Sequence, residues 1–257
     1  MKFSALSSGS SGNAFYIEDE KKNGILIYAG ISSKQICERL SLIGKNPEQI
    51  KAIFITHEHS DHIKGVDVFS RSFNVPVFAT KETIHSSSLI FNKNIKELGK
   101  NEEIKISGLK ISPFSKSHKA ADPVSFLIKD KDNKKILSVI TDCGYVCKNI
   151  EEAISLSDAI FLESNHDIKM LEDGKYPYFL KQWIRSDVGH LSNMQAALSI
   201  LEFGNKNMKN LILSHLSENN NTPKHALKTF SLIKERHDLH PQIHVSEREK
   251  PTPLFCL

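Results

Sequence analysis

Short runs of apolar, β-branched residues alternate with polar turns along the chain, and these runs predict strands. In a few longer segments the apolar residues recur every three or four positions, which predicts helices. The predicted strands cover residues 3–6, 14–18, 25–28, 51–55, 77–79, 109–111, 124–129, 136–141, 159–163, 210–213, 242–246 and 253–257. The predicted helices cover residues 33–43, 177–184, 193–203 and 223–235. This mixture predicts an α/β (α+β) fold in which sheets lie between helices.

Two of the predicted helices carry recognisable end signals. Ser32 or Ser33 can cap helix 33–43, and Gly44 ends it. In helix 223–235, Thr222 is a suitable N-cap and Pro223 occupies the first helical position. These signals indicate true helix boundaries because each satisfies backbone groups that a helix end leaves unpaired.

Length and composition are those of a soluble globular protein. A chain of 257 residues can bury a large core in one or two compact lobes. The net charge of +4 is compatible with a polyanionic substrate but is too small to demand one. No apolar run is long enough to span a membrane, and residues 1–6 lack the apolar stretch of a secretory signal. Without such a signal, we expect reduced cysteines and a cytoplasmic location.

Residues 56–62 carry the strongest chemical signal in the chain, because potential metal ligands crowd a loop that follows a predicted strand. The ligand-type residues are His57, His59, Asp61 and His62. Imidazole and carboxylate suit zinc, manganese or iron, and the lack of a thiolate argues against a closed structural zinc site. The alternative is a polar loop that is rich in histidine by chance.

Three more ligand-type residues lie at the ends of β-rich runs. They are His118, Asp142 and His215. Taken one at a time, each is equally well explained as a polar loop residue with ordinary hydrogen bonds. Their order along the chain, after the 56–62 run, is what makes them candidate ligands.

That order resembles the metallo-β-lactamase superfamily over essentially the whole chain. The resemblance implies a single domain over residues 1–257 with a four-layer αββα sandwich. It also implies two divalent ions, zinc or manganese with iron as a further option, and a hydroxide that bridges them. One ion would be bound by His57, His59 and His118, the other by Asp61, His62 and His215, with Asp142 shared between them.

A narrower resemblance rests on several short segments. These are Ser8-Gly9-Ser10-Ser11-Gly12-Asn13, the Ser117–Pro123 segment, Glu163-Ser164-Asn165-His166-Asp167, Gly189-His190-Leu191-Ser192-Asn193 and Ser214-His215-Leu216-Ser217. They look like the YycJ/WalJ (VicX) family, which implies a phosphodiesterase acting as a 5′-to-3′ exonuclease on nucleic acid, with DNA favoured over RNA. The last two segments also resemble ribonuclease Z. That likeness implies that Glu163 and His190 deliver a proton to the leaving group. Asp61, a candidate metal ligand, is also a candidate catalytic residue.

Five residues are candidates for substrate binding. Hydroxyl and backbone groups of the Ser/Gly loop can bind a phosphate, through Ser8, Ser10, Ser11 and Asn13. A flexible turn explains the same residues equally well. Lys119 directly follows a candidate ligand, so it can either bind a phosphate or remain a solvated side chain.

Two positions depart from the resembled pattern. The superfamily usually has Asp where this chain has Tyr28, and the narrower family usually has Asp where it has Lys119. The Asp usual at the position of Tyr28 supports the ligand loop, so its absence can weaken metal binding or activity. Two alternative functions therefore stay open: a hydrolase of small cyclic phosphodiesters, lactones or thioesters, and a catalytically weak, metal-binding regulatory protein.

For His190 the alternative to proton delivery is that it only caps the helix that starts near Ser192.

Overall fold

The computed structural model describes residues 1–132, 134–237 and 240–257. The strands are β1 (Lys2–Ser7), β2 (Ala14–Glu18), β3 (Gly24–Ile27), β4 (Ile50–Phe54), β5 (Val77–Ala79), β6 (Ile95–Glu97), β7 (Ile104–Ile106), β8 (Leu109–Ser115), β9 (Val124–Asp130), β10 (Ile136–Ile140), β11 (Ala159–Glu163), β12 (Asn210–Ser214), β13 (Gln242–Val245) and β14 (Phe255–Cys256). The helices are α1 (Ser33–Leu42), α2 (Ser60–Ile63), α3 (Val66–Phe73), α4 (Lys81–His85), α5 (Lys148–Leu156), α6 (Ile168–Asp173), α7 (Tyr178–Ile184), α8 (Asn193–Phe203) and α9 (Pro223–His237). Short 3₁₀ turns cover Pro47–Gln49 and Ser88–Phe91.

The chain divides into two compact units. The first comprises Met1–Ser115, Ala120–Lys135 and Ser246–Leu257, and the second comprises Lys116–Lys119 and Ile136–Val245. Neither unit is a continuous stretch of sequence. The expectation of a single domain over residues 1–257 stays a prediction.

The first unit is built on a mixed sheet in the order β14-β1-β2-β3-β4-β5-β6. Strands β14, β1, β2 and β3 pair antiparallel, whereas β3 to β6 pair parallel. Strands β7, β8 and β9 of the same unit form an antiparallel meander. Helices α1 and α3 bury apolar faces in a cluster with sheet residues that include Leu26 and Ile53. The parallel pairing of β3 with β4 brings their carboxyl ends to one edge, where the 56–62 loop begins.

The second unit is built on four parallel strands in the order β10-β11-β12-β13. Strands β11 and β12 are buried along their whole length, which explains their near-continuous apolar sequences. Helices α5, α8 and α9 contribute the buried residues Ile154, Ile200 and Phe230 to this core. Because all four strands run the same way, Asp142, Glu163 and His215 follow or end neighbouring strands at a common edge.

Most predicted elements are found, with shifted ends. Strand β3 stops at Ile27 because Tyr28 has a φ of 68°, which is outside the β region. Helix α7 starts at Tyr178, since Pro177 is its extended N-cap. The strand predicted at 109–111 continues to Ser115 through Pro113. Helices α2, α3, α4, α5 and α6 and strands β6 and β7 were not predicted from the sequence.

The helix-end signals were informative. Ser32, not Ser33, caps α1, and it forms a reciprocal capping box with Gln35. Thr222 accepts a hydrogen bond from the backbone of His225 at 3.2 Å, as expected of an N-cap. Among the described residues, no helix has the length and apolar character needed to cross a bilayer.

Candidate metal centre and catalytic residues

In the first unit, the 56–62 loop gathers its ligand-type side chains within a few ångströms. His57 Nε2 lies 3.0 Å from His59 Nδ1, and His62 Nε2 lies 3.1 Å from Asp61 Oδ2. The rings of His57 and His62 are 4.2 Å apart between centroids. His57 and His62 are fully buried, so their imidazoles are held in the protein interior and not in solvent. The four side chains therefore lie close together, as expected. Their role as metal ligands stays a prediction.

Neighbouring groups orient these histidines. Thr56 Oγ1 lies 2.8 Å from His57 Nδ1, which leaves Nε2 as the nitrogen that faces the other ligand-type residues. The Tyr28 ring is fully buried and contacts the His62 ring edge-on, with 4.5 Å between centroids. The sequence signalled Tyr28 only as a departure from the usual Asp. In the structure Tyr28 packs against a candidate ligand, so an aromatic ring occupies the supporting position.

The Ser/Gly loop is packed against the candidate ligand Asp61. Asn13 donates its backbone N–H to the Asp61 carbonyl at 2.8 Å and its side-chain amide to Asp61 Oδ2 at 3.3 Å. A Cβ on Gly30 would lie 1.6 Å from the Asp61 carbonyl oxygen, so this close approach requires glycine. Ser8 and Asn13 are buried, whereas Ser10 and Ser11 are exposed. Only Ser10 and Ser11, among the four predicted loop residues, present side chains that a phosphate can reach from solvent.

In the second unit, ligand-type residues meet at the carboxyl edge of the parallel strands. Asp142 and His215 follow β10 and β12 and adopt left-handed backbone conformations, with φ of 55° and 57°. Such conformations cost about 1–3 kcal/mol each in residues other than glycine and cluster at functional sites. They turn both side chains at the strand ends toward the same place. His215 Nε2 lies 3.5 Å from Asp142 Oδ1.

The spacing of these atoms fits a metal ion. Asp142 Oδ1 is 3.9 Å from His118 Nε2 and 3.5 Å from His215 Nε2, beyond normal hydrogen-bond distance. Two ligand atoms bound tetrahedrally to one ion at about 2.1 Å lie roughly 3.4 Å apart. One donor atom from each of Asp142, Glu163, His190 and His215 also lies within 4.8 Å of the others. The donor set therefore fits a divalent ion in chemistry and in spacing.

Glu163 is the centre of the polar network in this unit. Its fully buried carboxylate accepts backbone N–H bonds from Cys143 at 2.8 Å and Leu191 at 3.0 Å. Its Oε1 also lies 2.8 Å from His190 Nδ1 and 2.9 Å from His215 Nδ1. Burial alone would raise the pKa of Glu163, but the two histidines outweigh it and hold the pKa below its usual range. Glu163 is therefore an ionised carboxylate that fixes both imidazoles.

His118 is held in the neutral form that a metal ligand requires. Its Nδ1 lies 3.1 Å from the Gly189 carbonyl, which directs Nε2 toward Asp142. Burial lowers the pKa of His118 to about 3, against the opposing effect of Asp142. The next residue, Lys119, has an exposed side chain, and its backbone N–H donates to the Val188 carbonyl at 3.1 Å.

His190 does not cap the following helix, so that alternative is wrong. Ser192 is the N-cap of α8 and accepts from the Gln195 backbone, while the His190 side chain faces Glu163. The His190 ring lies 5.4 Å from the His215 ring and 5.6 Å from the Trp183 ring, between centroids. Trp183 was not predicted as part of this site, since nothing near it in sequence signals the contact.

Comparisons with known proteins establish the fold and the family of the chain. The profile of the "Beta-lactamase superfamily domain" family matches residues 23–216. The structure of Zn(2+)-bound PqqB from Methylobacterium extorquens superposes with a TM-score of 0.74 at 15% identity, covering 98% of this chain and 99% of that one. This likeness confirms the predicted fold class, mixed β sheets flanked by helices in the metallo-β-lactamase sandwich.

Fold and sites thus define a metal-dependent hydrolase of the metallo-β-lactamase superfamily, with His and Asp clusters suited to divalent ions. Two curated relatives are more similar. "Exodeoxyribonuclease WalJ" of Streptococcus pneumoniae serotype 2 is 38% identical over 89% of this chain and 86% of its own length. "Exodeoxyribonuclease YycJ" of Bacillus anthracis is 36% identical over 99% of this chain and 98% of its own. The chain belongs to the WalJ/YycJ family, as the sequence motifs indicated.

Proposed function

We propose that the chain is a dinuclear, metal-dependent phosphodiesterase that degrades DNA from a 5′ end. The observation that carries the proposal is the pairing of His190 with the ionised Glu163, at 2.8 Å, within a cluster of metal-type donors. A histidine backed by a carboxylate can protonate a leaving oxygen near neutral pH. The names of two relatives that are 36–38% identical supply the DNA substrate. A cytoplasmic location and a single-domain organisation belong to the same proposal.

We propose the following ligand set for two divalent ions. His57, His59 and His118 would hold one ion, Asp61, His62 and His215 would hold the other, and Asp142 would serve both. Zinc or manganese fits these nitrogen and oxygen donors, and iron is a further option. Each of three candidate ligands is oriented through its Nδ1: His57 by the Thr56 hydroxyl, His118 by the Gly189 carbonyl and His215 by the Glu163 carboxylate. These contacts support the assignment, because metal-bound imidazoles are usually oriented through their second ring nitrogen.

The ions, when bound, supply an activated water and offset the negative charge that develops on the phosphate. Asp61 helps to place that water, since its carboxylate is itself fixed by the Asn13 amide. His190 donates a proton to the departing oxygen. Glu163 holds the His190 imidazole in orientation through the contact of its Oε1 with His190 Nδ1.

Phosphate binding is assigned to the exposed Ser10, Ser11 and Lys119, with Ser8 and Asn13 shaping the loop. If Lys119 contacts a phosphate, Lys119→Ala weakens DNA binding and lowers the slope of log affinity against log salt by about one. Lys119→Asp restores the residue usual in the family and is expected to weaken binding further. Equal affinity and salt slope in all three forms would show a merely solvated lysine.

One assay tests the proposal directly. Purified protein, reconstituted with manganese or with zinc, is incubated with end-labelled single- and double-stranded DNA and RNA. We expect release of nucleotides from the 5′ end of DNA. Hydrolysis of small phosphodiesters without any degradation of nucleic acid would point instead to the small-molecule alternative. No turnover of either substrate would point to the regulatory alternative.

Metal analysis tests the ligand set. We expect about two ions per wild-type chain. Asp142→Ala is expected to lower the metal content more than the loss of any single histidine, because it removes a ligand from both ions. A variant without Asp142 that still binds two ions would contradict the assignment.

A further inference from the structure

The second unit exposes large aromatic side chains next to His190. Helix α7 starts with Tyr178 and Phe179, whose side chains are 77% and 74% exposed. Two adjacent rings with this much exposure are unusual on a globular surface and point to a binding partner. Together with Tyr176 and Trp183 they form what we call the aromatic segment.

Contacts at both ends fix the aromatic segment to the candidate site. Asn219, four residues beyond His215, donates its side-chain amide to the Tyr176 hydroxyl at 2.9 Å. At the other end, the Trp183 ring meets the His190 ring edge-on. Phe179 precedes Trp183 by four residues on the same helix, so the two rings lie on one helical face. Helix α7 therefore carries exposed rings at its start and, at Trp183, a ring in contact with the residue that we assign to proton delivery.

Both basic and acidic side chains flank the aromatic segment. From residue 167 to 187 the basic ones are Lys169, Lys175, Lys181 and Arg185, and the acidic ones are Asp167, Glu172, Asp173 and Asp187. Glu172 has its carboxylate paired with Arg185 at 3.0 Å and its carbonyl bonded to Lys181 Nζ at 2.7 Å. Lys175, which directly precedes Tyr176, is exposed and is the cation that we assign to a phosphate contact. Exposed rings interleaved with cations are the arrangement that binds single-stranded nucleic acid.

We propose that the aromatic segment is a stacking subsite for unpaired bases of a single DNA strand whose backbone leads to His190. This inference rests on the proposed function and names the form of its substrate. Stacking needs a base whose faces are accessible, and a duplex hides those faces in its own stack. Tyr178 and Phe179 stack on bases, while Lys175 contacts the backbone. A strand must therefore be unpaired over the nucleotides next to the scissile bond.

The test measures binding of a short 5′-phosphorylated DNA strand with phosphorothioate linkages, which resist hydrolysis, to the metal-loaded protein. The double change Tyr178→Ala and Phe179→Ala is expected to weaken binding by about tenfold to a hundredfold or more, since each stacked base contributes about 5- to 100-fold. The salt slope is expected to stay unchanged, because no phosphate contact is lost. Lys175→Ala should do the opposite: a smaller loss of affinity, with a salt slope lower by about 0.7, the value for one phosphate contact of a single strand.

A strand with single abasic positions makes the test specific for stacking. If a given base stacks on the aromatic segment, its removal weakens binding to the wild-type protein and has little further effect on the double variant. Phe179→Leu keeps an exposed apolar side chain but not a flat ring, so it should behave like Phe179→Ala. Phe91→Ala is the matched control, since Phe91 is 85% exposed and belongs to the first unit.

The outcomes separate this inference from the proposed function. Full affinity in the double variant, or an equal loss for every abasic position in both proteins, would overturn the stacking subsite while leaving the exonuclease proposal intact. Full affinity in Phe179→Leu would overturn it in favour of a general apolar contact. A wild-type protein that degrades no DNA in any form would contradict the proposed function itself.

Discussion

The two clusters of ligand-type residues differ in how they are assembled. In the first unit, His57, His59, Asp61 and His62 lie within one loop and the start of α2, so local backbone geometry brings them together. In the second unit, the corresponding residues are spread from His118 to His215, and Asp142, Glu163 and His215 meet because parallel strands end at one edge. The first cluster is therefore formed by a single loop, whereas the second depends on the arrangement of strands in a sheet.

The difference extends to the groups that hold each cluster. The first-unit loop depends on close backbone packing and on rings, through Gly30 under Asp61 and Tyr28 against His62. The second-unit cluster depends on one buried carboxylate, Glu163, which is bonded to residues from three separate segments. A single substitution at Glu163 should therefore disrupt the second cluster. Single substitutions among the residues that support the first cluster should each weaken metal binding only slightly.

The largest effect on stability and metal affinity is expected for Glu163→Gln. The amide keeps the volume but loses the charge that two histidines face, and its NH₂ group opposes backbone donors. We expect a loss of about 2–4 kcal/mol in the free energy of unfolding and a 10- to 100-fold loss in metal affinity. Urea denaturation and metal titration measure the two.

Glu58→Gln is the matched control in the first-unit loop. Glu58 makes one hydrogen bond, from the Ala121 backbone to Oε1 at 2.8 Å, and glutamine can keep it. We expect a change below about 1 kcal/mol. Similar effects at Glu58 and Glu163 would remove the contrast between the two clusters.

The largest effect on turnover is expected for His190→Ala, which separates chemistry from metal binding within the second cluster. We expect both ions to be retained and turnover to fall about 10²- to 10⁴-fold. The loss should be smaller on a nitrophenyl phosphodiester, whose leaving group needs no proton. His225→Ala, at an exposed histidine on α9, is the control. Loss of metal from His190→Ala would make His190 a ligand instead of a proton donor.

This contrast also explains how much could be predicted from the sequence. The 56–62 loop was recognisable because its ligand-type residues are adjacent, and strands such as β11 were recognisable because they are continuously apolar. The bond between Glu163 and His215 was not predicted, because no local pattern relates residues on neighbouring strands. Helix α6 was missed because its six residues bury only Leu171 and show no apolar stripe. In the sequence, Tyr28 was recognisable only as a departure from the usual Asp. Its role in supporting His62 became evident from the packing of the two rings.

A smaller effect is expected at Tyr28, where the first-unit loop depends on a ring. Tyr28→Phe keeps the edge contact with His62 and should bind metal like the wild-type protein. Tyr28→Leu removes that contact and should weaken metal binding by about 3- to 10-fold, in line with the usual strength of aromatic pairs. The positive φ is shared by all of these variants, so it does not bias the comparison. Stronger binding in Tyr28→Asp would show that the ring is a poorer support than the carboxylate usual in the superfamily.

Asp19→Asn tests whether a carboxylate held by backbone hydrogen bonds behaves like Glu163. Asp19 accepts from the Asn23 backbone at 2.9 Å and from the Gly108 backbone at 3.0 Å. Burial opposes ionisation, yet these bonds hold the pKa of Asp19 below its usual value. A lowered pKa means that its stabilising contribution is complete above the unfolded pKa of about 3.9 and is lost as pH falls through the lower folded value. Asp19→Asn should therefore cost about 1–2 kcal/mol in urea denaturation of the metal-free protein at pH 7, and the difference should shrink below about pH 4.

Glu20→Gln, at the exposed neighbour, should show no such change. A cost at Asp19 that is independent of pH would mean that the turn needs the shape of the side chain and not its charge.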